Sequence, residues 1–262
     1  MSDASLSAQN VSYEVGTALL VDGVDFAARP GEFLAILGPN GAGKSTLLSV
    51  LSGELIPSSG SVRYDSTEIS VLSGPERAVR RAVFSQRTLI DVPFTARAVV
   101  EFGRFPHRHD TSISPDENAE RIHTAMELTD TPHLASRVYS TLSGGERTRV
   151  ALARVFAQDT PIVLLDEPTT SLDVYHQERV LRILRTSADQ GRTVVAILHD
   201  LNGAAAYADR IMVMAEGRVR AQGAVADVLE PVLLSDVYGQ PMEVIDHPLR
   251  AGKLVLIDDR HA

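Results

Sequence analysis

The 262-residue sequence has no cysteine, no long apolar run and no excess of positive charge. Without cysteine the chain has no disulfide, no thiolate nucleophile and no cysteine metal ligand, which is typical of cytosolic proteins. No apolar run approaches the ~20 residues that span a bilayer. The first residues also lack the basic and apolar regions of a signal peptide. We therefore expect a protein that works in the cytoplasm and does not itself cross a membrane.

The charge balance is acidic, with a formal net charge of −9. Nucleic acids and anionic membranes would repel such a chain, so neither is expected as a general partner, which leaves room only for a local basic face. A hydrophobic fraction of 44% with 23% charged residues is ordinary for a globular protein. A chain of this length buries a large core, in one domain or two.

The most informative motif is a glycine-rich loop between a predicted buried strand, Phe33–Leu37, and a predicted helix that includes residues 47–51. The loop fits the pattern G-x-x-x-x-G-K-[ST], whose backbone N–H groups form a cradle for phosphates at a helix N-terminus. We expect Lys44 to reach the β- and γ-phosphates and Ser45 to bind Mg²⁺. The predicted nucleotide-binding residues are Gly38, Pro39, Asn40, Gly41, Ala42, Gly43, Lys44, Ser45 and Thr46.

Two carboxylates follow a second apolar strand, predicted over residues 162–165. A lone Asp-Glu pair after a strand is usually structural or solvated, but a preceding phosphate loop reverses that preference. We expect Asp166 to hold Mg²⁺, mostly through water, and Glu167 to act as the general base that polarises the attacking water.

A third motif, Leu-Ser-Gly-Gly-Glu, occupies residues 142–146. Ser143 and Glu146 fit a capping box, so an ordinary capped helix is one interpretation. Gly144 and Gly145 leave the first N–H groups of that helix uncovered, and an anion-binding helix end is the other interpretation. The residues alone do not separate the two.

Strands and helices alternate along the chain, which predicts an α/β architecture. Residues 8–13 and 21–27 are predicted to form half-exposed antiparallel strands. Between residues 88 and 158 only helices are predicted, so this part is expected to be a helical insertion, with a polar loop at residues 104–114. His107 and His109 in that loop lack a third ligand, and a solvated loop is preferred to a metal site. Further strands are predicted at residues 194–198 and 211–214, and helices at residues 94–102, 115–128 and 144–158.

In combination, residues 38–46, 142–146 and 162–167 resemble the Walker A, signature and Walker B motifs of an ABC-family ATPase. The resemblance covers essentially the whole chain. It implies that Tyr13 stacks on adenine, that Gln86 joins Mg²⁺ to the helical subdomain, and that residues 171–173 form the D-loop. His199 would be the switch histidine, a catalytic residue that contacts the γ-phosphate. Thr148 stands where many relatives have glutamine, for which we expect a small effect at most.

The resemblance also implies a fold and an assembly. The fold is a P-loop NTPase (RecA-like) core, residues 1–87 and 159–262, with an N-terminal antiparallel β-subdomain and an inserted α-helical subdomain, residues 88–158. The assembly is a head-to-tail homodimer. ATP held by one chain, with Mg²⁺ on Ser45, Gln86 and Asp166, would be covered by Ser143, Gly144, Gly145 and Asp173 of the other.

Three stretches bear on the cargo. Residues 100–107 and 199–209 are similar to ATPases that serve importers of iron–siderophore complexes, haem and vitamin B12, and the tail, residues 244–257, is most similar to the haem-import ATPases. We therefore predict an ATPase at the cytoplasmic face of the cell membrane that works with permease subunits and, indirectly, a haem-binding protein. His247 is expected to be structural rather than a haem ligand. The alternatives are siderophore or vitamin B12 import, a non-transport ABC ATPase and, least favoured, a P-loop kinase.

Overall fold

The computed structural model describes residues 5–85 and 93–258. In these residues the strands and helices alternate, as the sequence predicts. The strands are β1 Leu6–Val15, β2 Ala18–Ala28, β3 Phe33–Leu37, β4 Ser59–Tyr64, β5 Thr67–Glu68, β6 Arg81–Phe84, β7 Ile162–Asp166, β8 Thr193–Ile197, β9 Arg210–Ala215, β10 Arg218–Ala224, β11 Met242–Asp246 and β12 Lys253–Ile257. The helices are α1 Lys44–Leu51, α2 Gly74–Ala78, α3 Ala96–Glu101, α4 Pro115–Leu128, α5 Gly144–Ala157, α6 Val174–Asp189, α7 Leu201–Tyr207, α8 Val225–Val228 and α9 Pro231–Tyr238. Short 3-10 turns lie at Ile69–Val71, Phe102–His107, Pro132–Leu134 and Tyr139–Thr141.

The central sheet has the strand order β10-β9-β3-β8-β7-β6. Its strands pair in parallel except at the β9–β10 edge. Strands β3 and β8 are buried along their whole length, as expected for parallel strands that helices cover on both faces. The loops that follow β3, β7 and β8 therefore leave the sheet at the same edge, which brings together Ser45 with Asp166 and Glu167 with His199.

A second sheet is formed by the N-terminal strands in the order β2-β1-β4-β5, and its pairs are antiparallel. The prediction of half-exposed antiparallel strands is confirmed, although β1 and β2 extend beyond the predicted ends. One apolar cluster joins this sheet to one face of the central sheet, through Leu6, Phe26 and Tyr64 on one side and Ile36 and Leu164 on the other. The mixed α/β fold with a parallel P-loop sheet is thus confirmed.

Helices α3, α4 and α5 pack on one another beside the central sheet. The boundaries of α4 agree with the prediction, and α5 ends one residue earlier. Residues 104–107 depart from the predicted polar loop, because they lie in a 3-10 turn and Arg104 is only 6% exposed. The Arg104 guanidinium donates to the carbonyls of Ala157 and Gln158, at 2.8 and 3.3 Å. A buried arginine is stable here because the last carbonyls of α5 need donors.

The same segment meets α5 at Gly103. A Cβ on Gly103 would lie 2.3 Å from the carbonyl oxygen of Arg154, so the turn and the helix touch backbone to backbone. His107 Nε2 adds a contact of 2.8 Å to the carbonyl of Gln158.

Within residues 5–85 and 93–258, no helix is long and apolar enough to span a bilayer.

Candidate active site

The loop between β3 and α1 is fixed by close backbone contacts. A Cβ on Gly38, which has φ +142°, would lie 2.1 Å from the Met214 carbonyl oxygen on β9. A Cβ on Gly43, with φ +91°, would lie 2.3 Å from the Leu20 carbonyl oxygen. Both positions therefore require glycine for space as well as for backbone conformation. The loop begins at the end of β3 and leads into α1 at Lys44, so its N–H groups and the helix N-terminus face the same cleft.

Lys44 is 5% exposed and lies inside the curve of this loop. Its Nζ donates to the carbonyls of Gly38 and Pro39, at 2.7 and 2.8 Å. Burial lowers the pKa of Lys44, and the nearby carboxylates of Glu167 and Asp166 oppose that shift. In its charged form the Lys44 ammonium places positive charge inside the curve of the loop, where it can pair with phosphate oxygens.

Ser45 and Asp166 come from different elements and meet directly. Ser45 Oγ, in the first turn of α1, donates to Asp166 Oδ1 at the end of β7, over 3.0 Å. Burial raises the pKa of Asp166, and the charge of Glu167 raises it further, while the Ser45 hydrogen bond lowers it. Two neighbouring oxygen ligands, one of them a carboxylate that is costly to bury alone, fit a small hard cation such as Mg²⁺.

Glu167 and His199 form the second contact between strand ends. His199 Nε2 lies 2.6 Å from Glu167 Oε1, and the Thr170 hydroxyl donates to Glu167 Oε2 over 3.1 Å. The backbone of Glu167 has φ +52°, which costs about 1–2 kcal/mol for a residue with a side chain. Strain of this kind is typical of functional positions, and here it accompanies a carboxylate that faces the loop.

A cleft of about 240 Å³ lies over the loop. Among the described residues it is lined by Glu167 and Leu20 together with Asn40, Gly41, Ala42, Gly43, Lys44, Ser45 and Thr46. Leu20 was missed by sequence reasoning because nothing in its local pattern shows that the end of the β1–β2 hairpin reaches the loop. Tyr13 does not line this cleft; its side chain is partly buried against the apolar cluster under β1. Gln86 lies outside the described residues.

Ser143, Gly144 and Gly145 are not among the residues that line this cleft. The capping box is present, since Ser143 N–H donates to Glu146 Oε2 over 2.7 Å and Glu146 N–H donates to Ser143 Oγ over 3.3 Å. Nothing lies within 4 Å of a Cβ placed on Gly144, so the start of α5 is open. The helix is therefore both capped and accessible to an anion from outside its own chain.

Asp173 ends the segment after Glu167 and begins α6. Its Oδ1 accepts from the backbone N–H of His176 over 2.9 Å, which caps the helix. The backbone and side-chain hydrogen bonds from His176 lower the pKa of Asp173. Asp173 too lies outside the lining of the cleft over the loop.

Comparison with known proteins gives a consistent result. The ABC transporter family matches residues 21–170. The chain is 51% identical to the hemin import ATP-binding protein HmuV of Nocardia farcinica, over 90% of this chain and 82% of the relative, and 48% identical to HmuV of Rhodococcus jostii, over 96% and 86%. Among solved structures, it is similar to the dimeric, ADP- and Pi-bound post-hydrolysis state of the ATP-binding cassette MJ0796, with a TM-score of 0.76 and 29% identity over 84% of this chain and 98% of that one.

The family match covers the phosphate loop, the signature helix and the strand that ends at Asp166, with Glu167 directly after it. The chain therefore belongs to the ABC transporter family, as one of its ATP-binding, ATP-hydrolysing proteins.

Proposed function

We propose that this ATPase powers the import of haem through a membrane permease, and that it works at the cytoplasmic face of the cell membrane. The observation that carries the proposal is the identity of 42–51% to relatives named hemin import ATP-binding protein, over 90% or more of this chain. The convergence of Lys44, Ser45, Asp166, Glu167 and His199 at one sheet edge supplies the machinery that such a protein needs.

The roles of these residues follow from their contacts. The loop N–H groups and Lys44 bind the phosphates, and His199 is placed beside the carboxylate of Glu167, 2.6 Å away. Glu167 is assigned as the general base, because its carboxylate lines the cleft over the loop while Asp166 is the carboxylate that meets Ser45. Ser45 and Asp166 would hold Mg²⁺, together with Gln86. When bound, the ion neutralises charge on the phosphate oxygens.

The assembly in this proposal is a head-to-tail dimer. Ser143, Gly144, Gly145 and Asp173 lie outside the cleft of their own chain, and a second chain is the simplest source of a nucleotide for them. ATP then contacts both chains, and the loss of its γ-phosphate weakens the grip of the second chain. The dimeric MJ0796 cassette is a precedent for two such chains in one particle.

The helical subdomain that the sequence predicts over residues 88–158 would provide the docking surface for the permease. Phe94, Phe102 and Phe105 are 41%, 42% and 60% exposed, and the rings of the first two meet edge to face with centroids 5.0 Å apart. Exposed aromatic side chains on one side of a folded protein are typical of protein interfaces. Haem itself would contact the permease and a separate haem-binding protein. That haem-binding protein would deliver haem to the permease.

Growth on defined iron sources tests the cargo. A strain that lacks this chain, and the same strain complemented with it, are grown with haem, with ferric siderophores or with neither. Selective failure on haem, restored by complementation, supports the proposal. Failure on siderophores alone would reassign the cargo and leave the ATPase intact. No iron phenotype would contradict import of iron compounds, and copurification with a polytopic membrane protein would then show whether the chain serves another transporter.

A further inference from the structure

The D-loop segment, residues 171–173, and the start of the signature helix α5 are in direct contact. A Cβ on Gly145 would lie 3.4 Å from the carbonyl oxygen of Ser171. The Thr148 and Ser171 hydroxyls are 2.6 Å apart, a short hydrogen bond between side chains of the two elements. The two segments therefore touch at the turn of α5 that is nearest its N-terminus.

A second connection begins at Asp173 and passes through His176. His176 Nδ1 lies 2.8 Å from Asp173 Oδ1, and its Nε2 lies 2.9 Å from Nη1 of Arg149 on α5. A guanidinium can only donate, so Nε2 accepts and the imidazole proton lies on Nδ1, from where it is donated to Asp173. The orientation of the ring is thus fixed from both sides.

Arg149 is itself held from a third element. One N–H of Nη1 serves His176, and the other is shared between the carbonyl oxygen and Oδ2 of Asp130, which lie 3.1 and 3.2 Å from Nη1. Asp130 follows the end of α4 with φ +56°. The Arg149 side chain is only 11% exposed. Charge-assisted hydrogen bonds are stronger than neutral ones, and here the guanidinium is shielded while the Asp130 side chain is 45% exposed. The chain Asp173–His176–Arg149–Asp130 consequently ties the D-loop to both helices of the signature region.

We propose that His176 and Thr148 are positioning residues that lock the D-loop to α5, so that the two elements facing the partner's ATP keep one fixed spacing. The inference rests on the proposed dimer, in which Asp173 and Ser143–Gly145 act on the same nucleotide. It predicts that the two residues matter for closing the dimer and not for binding nucleotide to the loop at residues 38–46.

The test uses the full chain with the Glu167→Gln substitution, in which we expect ATP to be bound but not hydrolysed. His176→Ala removes the bridge, and Thr148→Val removes only the hydroxyl at almost constant volume. Arg182→Gln is the matched control, because it breaks an exposed ion pair with Glu178 on the same helix. For each protein, ATP binding to dilute monomer is measured by calorimetry and ATP-driven dimerisation by analytical ultracentrifugation.

We expect His176→Ala to raise the protein concentration at half-dimerisation about ten-fold, equal to about 1.4 kcal/mol, with unchanged ATP affinity of the monomer. Thr148→Val should give a smaller shift in the same direction, and Arg182→Gln none. Dimerisation at the parent concentration in both variants would overturn the proposal. An equal loss of monomer ATP affinity would show a general structural role and would also overturn it.

Hydrogen exchange separates this proposal from the proposed dimer. In the ATP-free monomer, His176→Ala should speed exchange in the peptide spanning residues 169–177 several-fold relative to the Arg182→Gln control. Unchanged exchange would refute the lock whatever the assembly. Failure of the Glu167→Gln parent to dimerise with ATP, alongside faster exchange in the His176 variant, would refute the dimer and leave the lock standing.

Discussion

We expect the substitution Glu167→Gln to separate nucleotide binding from hydrolysis. Glutamine keeps the length and shape of the side chain, and its amide can still pair with His199 and Thr170, which contact the two carboxylate oxygens at 2.6 and 3.1 Å. The cradle of N–H groups and Lys44 is untouched, so ATP affinity should stay within about two-fold. Only the ability to take a proton from the attacking water is lost.

A positioned general base is worth about 10²–10⁴ in rate, equal to about 2.7–5.4 kcal/mol of transition-state stabilisation. We therefore expect the single-turnover rate of the variant to fall by at least a hundred-fold, and an ATP-bound dimer to accumulate on a sizing column. Glu120→Gln is the control, since Glu120 is an exposed glutamate on α4 that lies outside the cleft over the loop. Hydrolysis by the Glu167 variant near the rate of the parent would refute the assignment of the base.

Other positions in the site give further predictions. Lys44→Ala should weaken ATP binding about ten- to hundred-fold in calorimetry, because a charge-assisted contact is lost, whereas Lys253→Ala, at an exposed ion pair, should leave the affinity unchanged. Gly38→Ala should lower the free energy of unfolding in urea by about 3 kcal/mol, since its Cβ meets a β9 carbonyl at 2.1 Å; Gly41→Ala, with open space around it, should cost about 1 kcal/mol. Burial raises the pKa of Asp166, so its ionised form destabilises the folded protein above that pKa. Asp166→Asn should therefore raise the melting temperature in metal-free buffer at pH 7, with a gain that fades as the pH falls towards the unfolded carboxyl value of about 3.9; a gain that grows on acidification would contradict this.

The parts of the fold that the sequence reveals are those with strong local patterns. β3, β7 and β9 are continuous apolar runs, and α4 begins with Ser114, Pro115 and Glu117, which form a capping box in the structure. β10 was not predicted, because its residues alternate between exposed and half-buried and it is held by pairing with β9. The formation of such a strand depends on pairing with its neighbour more than on its own amino-acid composition.

Contacts between distant segments explain what sequence reasoning missed at the site. The local sequence predicts a solvated Arg104. In the structure its guanidinium donates to a carbonyl at the end of α5, more than fifty residues away in the chain. Leu20 lines the cleft because β2 passes beside the phosphate loop. This contact is made between distant segments, and no pattern in the residues around Leu20 predicts it. The motif residues could be predicted from sequence because a phosphate loop requires glycine and lysine at nearly fixed spacing, and a magnesium site requires carboxylates.

The contact between Gly103 and Arg154 fixes α5 rigidly to the turn that precedes α4. With 14 residues the helix is about 21 Å long. Its C-terminal end packs against the turn that carries the exposed rings of Phe102 and Phe105. The contact at Gly103 leaves no space for even a methyl group. The other end carries Ser143. In the proposed dimer, a displacement of those two rings would therefore move α5 as a rigid body, together with the Ser143 end that faces the nucleotide of the opposing chain.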